Sequence, residues 1–200
     1  MRRMTKWFAA IFLTLQFVAP SHVSGESIGS VTGGIVTLYA LDPLMSTLSF
    51  NDGMPGYVVR ENLTYNRDSN LAFDIYSKDS FTVAIQGGQK GMMIDLGTAD
   101  ELRTRYGYIE TVGNPQGFSS IHLEGGAAFI IKDHKTRTFQ PLKEFGALLK
   151  GTKWDSSAPI ALGHIYLARI FDDHDLEIVV KLKVLTYLPG QAVTIRWERL

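Results

Sequence analysis

From residue 26 onward, the dominant pattern is an alternation of apolar and polar residues with a period of two, and turn-forming residues recur between the alternating segments. Successive side chains of a strand point to opposite faces, so this period is typical of antiparallel sheets. Regularly spaced turns between short strands indicate a β-sandwich or a β-barrel. We favour the sandwich because segments 127–131 and 165–171 are apolar on both faces. The chain is predicted to form about ten strands in a single mainly β domain over residues 26–200.

Residues 160–199 predict a three-stranded antiparallel meander with two hairpins. A Pro-Gly turn over residues 188–191 closes the second hairpin, because proline presets φ and glycine supplies a positive φ. The predicted pairs are Leu188 with Gln191, Val184 with Ile195, Leu182 with Trp197, and Lys181 with Glu198. These pairs match apolar with apolar residues and charge with counter-charge, a match that a one-residue slip destroys.

An acidic turn over residues 172–175 closes the first hairpin of this meander. It predicts that Phe171 pairs with Leu176, Leu167 with Val180, and Ile165 with Leu182. Two Gly-Gly pairs predict further hairpins. One, over residues 86–89, places Phe81 opposite Ile94 and Val83 opposite Met92, and the other, at residues 125–126, places Ile121 opposite Ile130.

Two short helices are predicted between the strands. Residues 98–101 have the capping-box pattern of a helix start, and Gly107 is a suitable stop. The second helix is expected to begin at Pro141 and to end at Gly151. Residues 94–97 resemble a sequence of jelly-roll modules that bind carbohydrate, but four residues identify no family. The fold class is therefore an antiparallel sandwich, jelly-roll-like or related, with a barrel as the alternative.

The composition excludes several kinds of chemistry. The chain has no cysteine, so it has no thiolate zinc site, iron–sulfur cluster or cysteine nucleophile. It has 20 basic and 20 acidic residues, a balance that gives no reason to expect a nucleic acid as partner. The sequence also lacks the Gly-x-Ser-x-Gly, His-Glu-x-x-His and phosphate-binding glycine motifs. We expect no cofactor.

The first 25 residues have the three-part layout of a secretory signal peptide. Arg2, Arg3 and Lys6 form a basic start, residues 7–19 are mostly apolar, and residues 20–25 end in small residues. The apolar run is shorter than the roughly 20 residues that a membrane span needs. We expect cleavage after Gly25 and export to the periplasm or the extracellular space, with an uncleaved signal anchor as the alternative. The remaining chain would be slightly acidic.

Asp95 is the candidate catalytic residue, because its sequence neighbours Met93, Ile94 and Leu96 are apolar. An apolar setting raises the pKa of a carboxyl group, as a general acid requires. Glycoside hydrolysis would need a second carboxylate across a cleft, and the sequence does not identify one. The alternative is a polar residue on the outer side of a strand, opposite Ser80.

The acidic turn is a candidate calcium site. Asp172, Asp173 and Asp175 supply three carboxylates within four residues, and calcium prefers oxygen ligands. A two-residue turn cannot surround one ion, so a second loop would have to contribute ligands. The alternative is a solvated turn, since aspartate is common in exposed turns.

Aromatic side chains in loops are the candidate binding residues, because rings stack on sugars or pack against protein partners. The candidates are Trp154, Tyr106, Tyr108 and Phe118. The alternative for Trp154 is burial as a lid over the core.

These features predict an exported, non-catalytic binding or surface-associated module that recognises a glycan or an envelope protein through its loops. One alternative is a glycan-active hydrolase that uses Asp95 and a second carboxylate. The other is a structural subunit of an envelope assembly, which would show an apolar patch or an open strand edge.

Overall fold

The computed structural model describes residues 32–56, 69–86, 88–107, 121–133, 138–146, 156–173 and 176–200. These residues form a mainly β structure with antiparallel sheets, as the alternation predicts, and no closed barrel is found among them. The strands are β1 (Gly33–Tyr39), β2 (Thr47–Leu48), β3 (Pro55–Gly56), β4 (Leu71–Phe73), β5 (Ser80–Val83), β6 (Lys90–Thr98), β7 (Ile121–Glu124), β8 (Ala127–Asp133), β9 (Thr138–Pro141), β10 (Ser157–Pro159), β11 (His164–Phe171), β12 (Glu177–Leu188) and β13 (Ala192–Arg199). One helix, α1 (Ala99–Tyr106), follows β6 directly.

Three antiparallel sheets make up the described part of the chain. The central sheet has the strand order β1-β13-β12-β11-β6, the second sheet β10-β5-β4-β2-β3, and the third sheet β7-β8-β9. A first core joins the central and second sheets, as in a sandwich. A second core joins the other face of the central sheet to α1 and the third sheet. The central sheet is therefore covered on both faces along β11 and part of β12.

Alternation along β12 shows how these residues build both cores. Ile178, Val180 and Leu182 are buried in the first core. Val179, on the opposite face, is buried in the second core. Since both sets are buried, the strand is an almost continuous apolar run rather than a half-polar one.

The predicted register of the β12–β13 hairpin is confirmed through most of its length. Val184 pairs with Ile195, Leu182 with Trp197, and Lys181 with Glu198. The predicted Pro-Gly turn forms, because the N–H of Gln191 donates to the carbonyl of Leu188 at 3.0 Å and Gly190 has a φ of 64°. The predicted pairing at the base of the turn is wrong, because the ladder pairs Leu188 with Ala192 rather than with Gln191. The pairs nearest the turn are therefore shifted by one residue from the predicted register. An irregularity between Val184 and Thr186 compensates for this shift, so the pairs farther from the turn have the predicted register.

The predicted register of the β11–β12 hairpin is wrong by one residue. Leu167 pairs with Lys181 rather than with Val180, and Phe171 pairs with Glu177 rather than with Leu176. Both faces of β11 are buried, so a slip of one residue exchanges one apolar face for another. Hydrophobic alternation therefore carries little information about the register of this pair.

The predicted β5–β6 hairpin does not form, because β5 lies in the second sheet and β6 in the central sheet. The two strands face each other: a Cβ added at Gly91 of β6 would lie 2.6 Å from the Cβ of Ala84, just after β5. The predicted hairpin at residues 125–126 is confirmed, with Ile121 opposite Ile130. Pro141 ends β9 rather than opening a helix, although residues 145–146 within the predicted range are helical. The predicted end of that helix at Gly151 lies outside the described residues.

The chain between residues 1 and 31, which includes the predicted signal peptide, lies outside the described residues. Within the part of the chain that the structure describes, no helix is long and apolar enough to cross a membrane.

Lys181 is fully buried. Its Nζ lies 2.9 Å from Oε2 of Glu198 on the neighbouring strand. Burial lowers the pKa of Lys181 to about 8, although the Glu198 carboxylate acts in the opposite direction. Desolvation of the ammonium group therefore outweighs its attraction to the carboxylate, which is common for buried ion pairs.

We expect the free energy of unfolding to rise with pH between about pH 8 and pH 10. The unfolded chain holds the lysine proton up to the ordinary pKa of 10.5, whereas the folded protein releases it near pH 8. The rise can reach about 1.4 kcal/mol per pH unit. Urea unfolding at a series of pH values measures it, and Lys181→Met should abolish it.

Lys183→Met removes a lysine from the same face of β12 and controls for the loss of one positive charge. The measurement stops at pH 10, because burial raises the pKa of Tyr166 and of Tyr187 to about 12. These phenols ionise first in the unfolded chain and lower the stability above pH 10. An equal rise in the Lys181→Met protein would contradict the assignment to Lys181.

Candidate functional site

An open cleft of about 640 Å³ lies where β6 runs into α1, beside the start of β11. Six of the eight described lining residues have polar side chains, and these six come from all three elements. The lining residues are Asp95, Leu96, Gly97, Asp100, Glu101, Thr104, Arg105 and His164. Its volume is within the range of small-molecule sites, which is about 300–1,000 Å³.

Asp95 lies in this cleft with its side chain 38% exposed. It is aligned with Tyr166 of β11 rather than with Ser80, because β6 belongs to the central sheet. One carboxylate oxygen accepts a hydrogen bond from the backbone N–H of Gly97 at 2.7 Å. Both oxygens lie within 3.0 Å of Nδ1 of His164. The carboxylate therefore has polar partners rather than the apolar setting expected from its sequence neighbours.

His164 reaches Asp95 because β11 begins irregularly. The register between β6 and β11 shifts between His164 and Tyr166, which turns the histidine toward the cleft. The side chain is 27% exposed, and its Nε2 has no hydrogen-bond partner among the residues that the structure describes. A carboxylate at Nδ1 orients an imidazole and leaves Nε2 able to accept or donate a proton.

Glu101 supplies a second carboxylate to the cleft through the predicted capping box, which is confirmed. Thr98 is the N-cap of α1: its side chain accepts from the backbone N–H of Glu101, and its own backbone N–H donates to Oε2 of Glu101 at 2.7 Å. This backbone hydrogen bond is the main reason why the pKa of Glu101 lies below its ordinary value, and His164 lowers it further. Gly107 ends the helix with a left-handed φ of 69°, as predicted.

The carboxylates of Asp95 and Glu101 are close to each other. Asp95 accepts from the N–H of Gly97 and Glu101 from the N–H of Thr98, each over 2.7 Å. Three bonds separate these two nitrogens, a path of about 4.3 Å, so the carboxylate oxygens lie within about 10 Å. The cleft therefore contains two carboxylates no more than about 10 Å apart, a range that includes the separations used in glycoside hydrolysis.

Arg105 and Tyr106 connect the cleft to the segment after β9. Nη1 of Arg105 lies 2.5 Å from one oxygen of Glu144, and the Tyr106 hydroxyl donates to the other oxygen at 2.5 Å. Arg105 also donates to the backbone oxygen of Leu96. Tyr106 is the last residue of α1 and is buried in the second core, and burial raises its pKa. Among the predicted binding residues, it is thus a helix residue rather than a loop residue.

The other aromatic candidates, Trp154, Tyr108 and Phe118, lie outside the described residues. At the candidate calcium site, Asp172 accepts from the backbone N–H of Leu176 at 3.0 Å, and Asp173 forms an ion pair with Lys90 at 2.7 Å. Asp175 lies outside the described residues. Within the described ranges, no group of three or more histidine or acidic side chains could hold a metal ion.

His164 is the site residue that sequence reasoning missed. It lies 69 positions from Asp95 and has no motif around it. The pairing of β6 with β11 would have revealed it, but the Gly-Gly turn after β5 pointed to β5 as the partner. The structure brings Asp95, Glu101 and His164 together because β6, α1 and β11 meet at one end of the central sheet.

We expect Gly97→Ala to destabilise the protein more than Gly88→Ala. Both glycines have a left-handed φ, so each substitution costs about 1–2 kcal/mol of backbone strain. A methyl group at Gly97 would also collide with Oε2 of Glu101, whereas nothing lies within 4 Å at Gly88. Loss of the cap adds about 0.5–2 kcal/mol. Chemical unfolding measures both variants, and equal losses would contradict the role of Glu101 as a cap.

The chain was compared with protein-family models, with curated proteins and with solved structures, and nothing matches it in any of the three. No relative therefore assigns a role to any residue of the cleft. The function has to be inferred from the chemistry of the side chains that line it.

Proposed function

We propose that the protein is an exported binding module that takes a glycan in the cleft between β6, α1 and β11. Export rests on the basic, apolar and small-residue segments within residues 1–25. Binding rests on the position of the cleft, which opens at the end of the central sheet. A rigid sheet and a capped helix position the polar groups there, as a specific site requires.

The lining of the cleft suits a ligand rich in hydroxyl groups. Asp95, Asp100 and Glu101 offer carboxylate oxygens, which accept hydrogen bonds only. Arg105 is the single permanent cation of the lining, and it is already bound to Glu144. The lining therefore has three carboxylates and one permanent cation, which disfavours an anionic ligand, whereas sugar hydroxyls can donate to these oxygens.

The paired side chains of Asp95 and His164 are the observation that carries the proposal. Both are partly exposed at the cleft, and they hold each other at 2.9 Å. A pre-oriented pair loses little side-chain freedom when a ligand binds, so its hydrogen bonds contribute more to the affinity.

We expect Asp95→Asn to weaken glycan binding by about tenfold to a hundredfold, the effect of losing a charged hydrogen-bond partner. A panel of envelope and extracellular glycans identifies the ligand, and calorimetry measures its affinity. Asp173→Asn is the matched control, since Asp173 is exposed at the β11–β12 turn and does not line the cleft. Unchanged affinity in the Asp95→Asn protein, or no binding across the panel, would rule out this proposal.

Hydrolysis of the bound glycan is the second candidate, favoured by the free Nε2 of His164. Asp95 orients the ring, so Nε2 could take a proton from an attacking water and return it to the leaving group. Glu101, whose pKa is lowered, remains ionised nearby and could stabilise developing positive charge on the sugar. In this mechanism the transferable proton belongs to His164 rather than to Asp95.

For this candidate we expect turnover of chromogenic glycosides, and a loss of about a hundredfold or more in His164→Asn. His122→Asn is the control, because His122 lies on β7 beside Glu124 and does not line the cleft. If the unaltered protein binds a glycan without hydrolysing it, the hydrolase is excluded and the binding module remains the proposed function. Full activity in His164→Asn would exclude His164 as the proton carrier.

A further inference from the structure

Edge strands expose backbone groups that can pair with another chain, and proteins commonly shorten, charge or interrupt them. Five of the six edge strands in the described residues have such protection. In the second sheet, β3 and β10 have two and three residues, and each contains a proline. In the third sheet, β7 ends at Glu124 and β9 at Pro141. In the central sheet, β6 contains Lys90 and Asp95, and its pairing with β11 is irregular.

The sixth edge strand, β1, has none of these features. It runs for seven residues from Gly33 to Tyr39 without a charge or a proline. Its register with β13 is continuous, so no bulge interrupts it. Ile35 is 65% exposed on this strand. An uncharged, regular edge with an exposed apolar side chain is a template for strand pairing.

The direction of the backbone groups on β1 follows from the hydrogen bonds at its two ends. Thr32 accepts from Arg199, and Ala40 donates to Gln191, so both residues direct their backbone groups toward β13. In an antiparallel pair this direction alternates along the strand. The odd-numbered residues Gly33, Ile35, Thr37 and Tyr39 therefore direct their N–H and C=O groups toward the open edge.

The backbone N–H and C=O groups of Tyr39 already have hydrogen-bond partners in the segment that follows β1. Its N–H donates to Met45, and its C=O accepts from Asp42. Within the described ranges, the N–H and C=O groups of Gly33, Ile35 and Thr37 therefore remain without a hydrogen-bond partner. Ile35 is at the centre of this set.

We propose that β1 pairs antiparallel with β1 of a second copy of this chain, across a two-fold axis at Ile35. Gly33 then lies opposite the partner's Thr37, Ile35 opposite the partner's Ile35, and Thr37 opposite the partner's Gly33. Each opposing pair exchanges two backbone hydrogen bonds, so every open N–H and C=O group of the strand finds a partner. The two central sheets become one continuous sheet with closed two-fold symmetry.

The satisfied backbone of Tyr39 selects this register. If the axis passed through Thr37 instead, Ile35 would face the partner's Tyr39, whose groups are already bonded, and those bonds would be lost. The side chains favour the same arrangement, since Ile35 covers the partner's Ile35 and no like charges meet. The partner is thus a second copy rather than an unrelated strand, because in this register each open backbone group of one β1 lies opposite an open group of the other β1.

Analytical ultracentrifugation of the purified protein tests the pairing. We expect the unaltered protein to sediment at twice the mass of one chain. Ile35→Lys alone and Ile35→Glu alone should each sediment at half that mass, because like charges would face each other at the axis. An equal mixture of the two variants should recover the double mass, because Lys would then face Glu.

Leu162→Lys is the matched control, since Leu162 is as exposed as Ile35 but lies outside β1. It should keep the double mass. A single-chain mass for the unaltered protein at high concentration would overturn the proposal, and so would a double mass in Ile35→Lys. If β1 instead binds an extended segment of a different protein, the purified unaltered protein will have the mass of a single chain.

Cross-linking locates the axis independently. The chain has no cysteine, so Ile35→Cys introduces the only thiol. Hydrogen-bonded residues in opposing antiparallel strands have Cα atoms about 5.5 Å apart, a spacing that a disulfide can span. Mild oxidation should convert this variant to a covalent dimer and leave Leu162→Cys as single chains. Equal cross-linking of the two variants would overturn the two-fold axis at Ile35.

Discussion

Burial of the central sheet on both faces is the constraint on which the rest of the structure depends. The second sheet covers one face, and α1 and the third sheet cover the other along β11 and its neighbours. The strand that is covered on both faces must therefore be apolar on both sides, and β11 is. Lys181 is the exception: it is fully buried and paired with Glu198 on the adjacent strand. An unpaired ammonium group at this position would cost several kcal/mol.

The two edges of the central sheet end differently. At β6 the chain turns directly into α1, and the residues of that turn cap the helix and line a cleft. The hydrogen bonds from Gly97 and Thr98 that stabilise the turn also hold the carboxylates of Asp95 and Glu101. Helix capping and the polar site are therefore built from the same residues. At β1, the backbone N–H and C=O groups that face outward from Gly33, Ile35 and Thr37 have no hydrogen-bond partner among the residues that the structure describes.

The proposed binding cleft at one edge and the proposed pairing at the other are compatible with each other. Pairing through β1 would leave both copies of the cleft accessible, because β1 and β6 lie at opposite ends of the five-stranded order. Two linked sites bind a repeating ligand such as a glycan chain more tightly than one site does. The two proposals remain independent, since no residue of the cleft belongs to β1.

The sequence by itself determined whatever depends on neighbouring residues: the strand period, the turn near Gly190, the capping box at Thr98 and the register around Leu182 and Trp197. It also singled out Asp95, although for an apolar setting that the structure does not have. Only the tertiary structure decided that β6 pairs with β11, which brought His164 to Asp95. Local patterns could not reveal this, because β11 is buried on both faces and offers no contrast from which to choose a partner or a register.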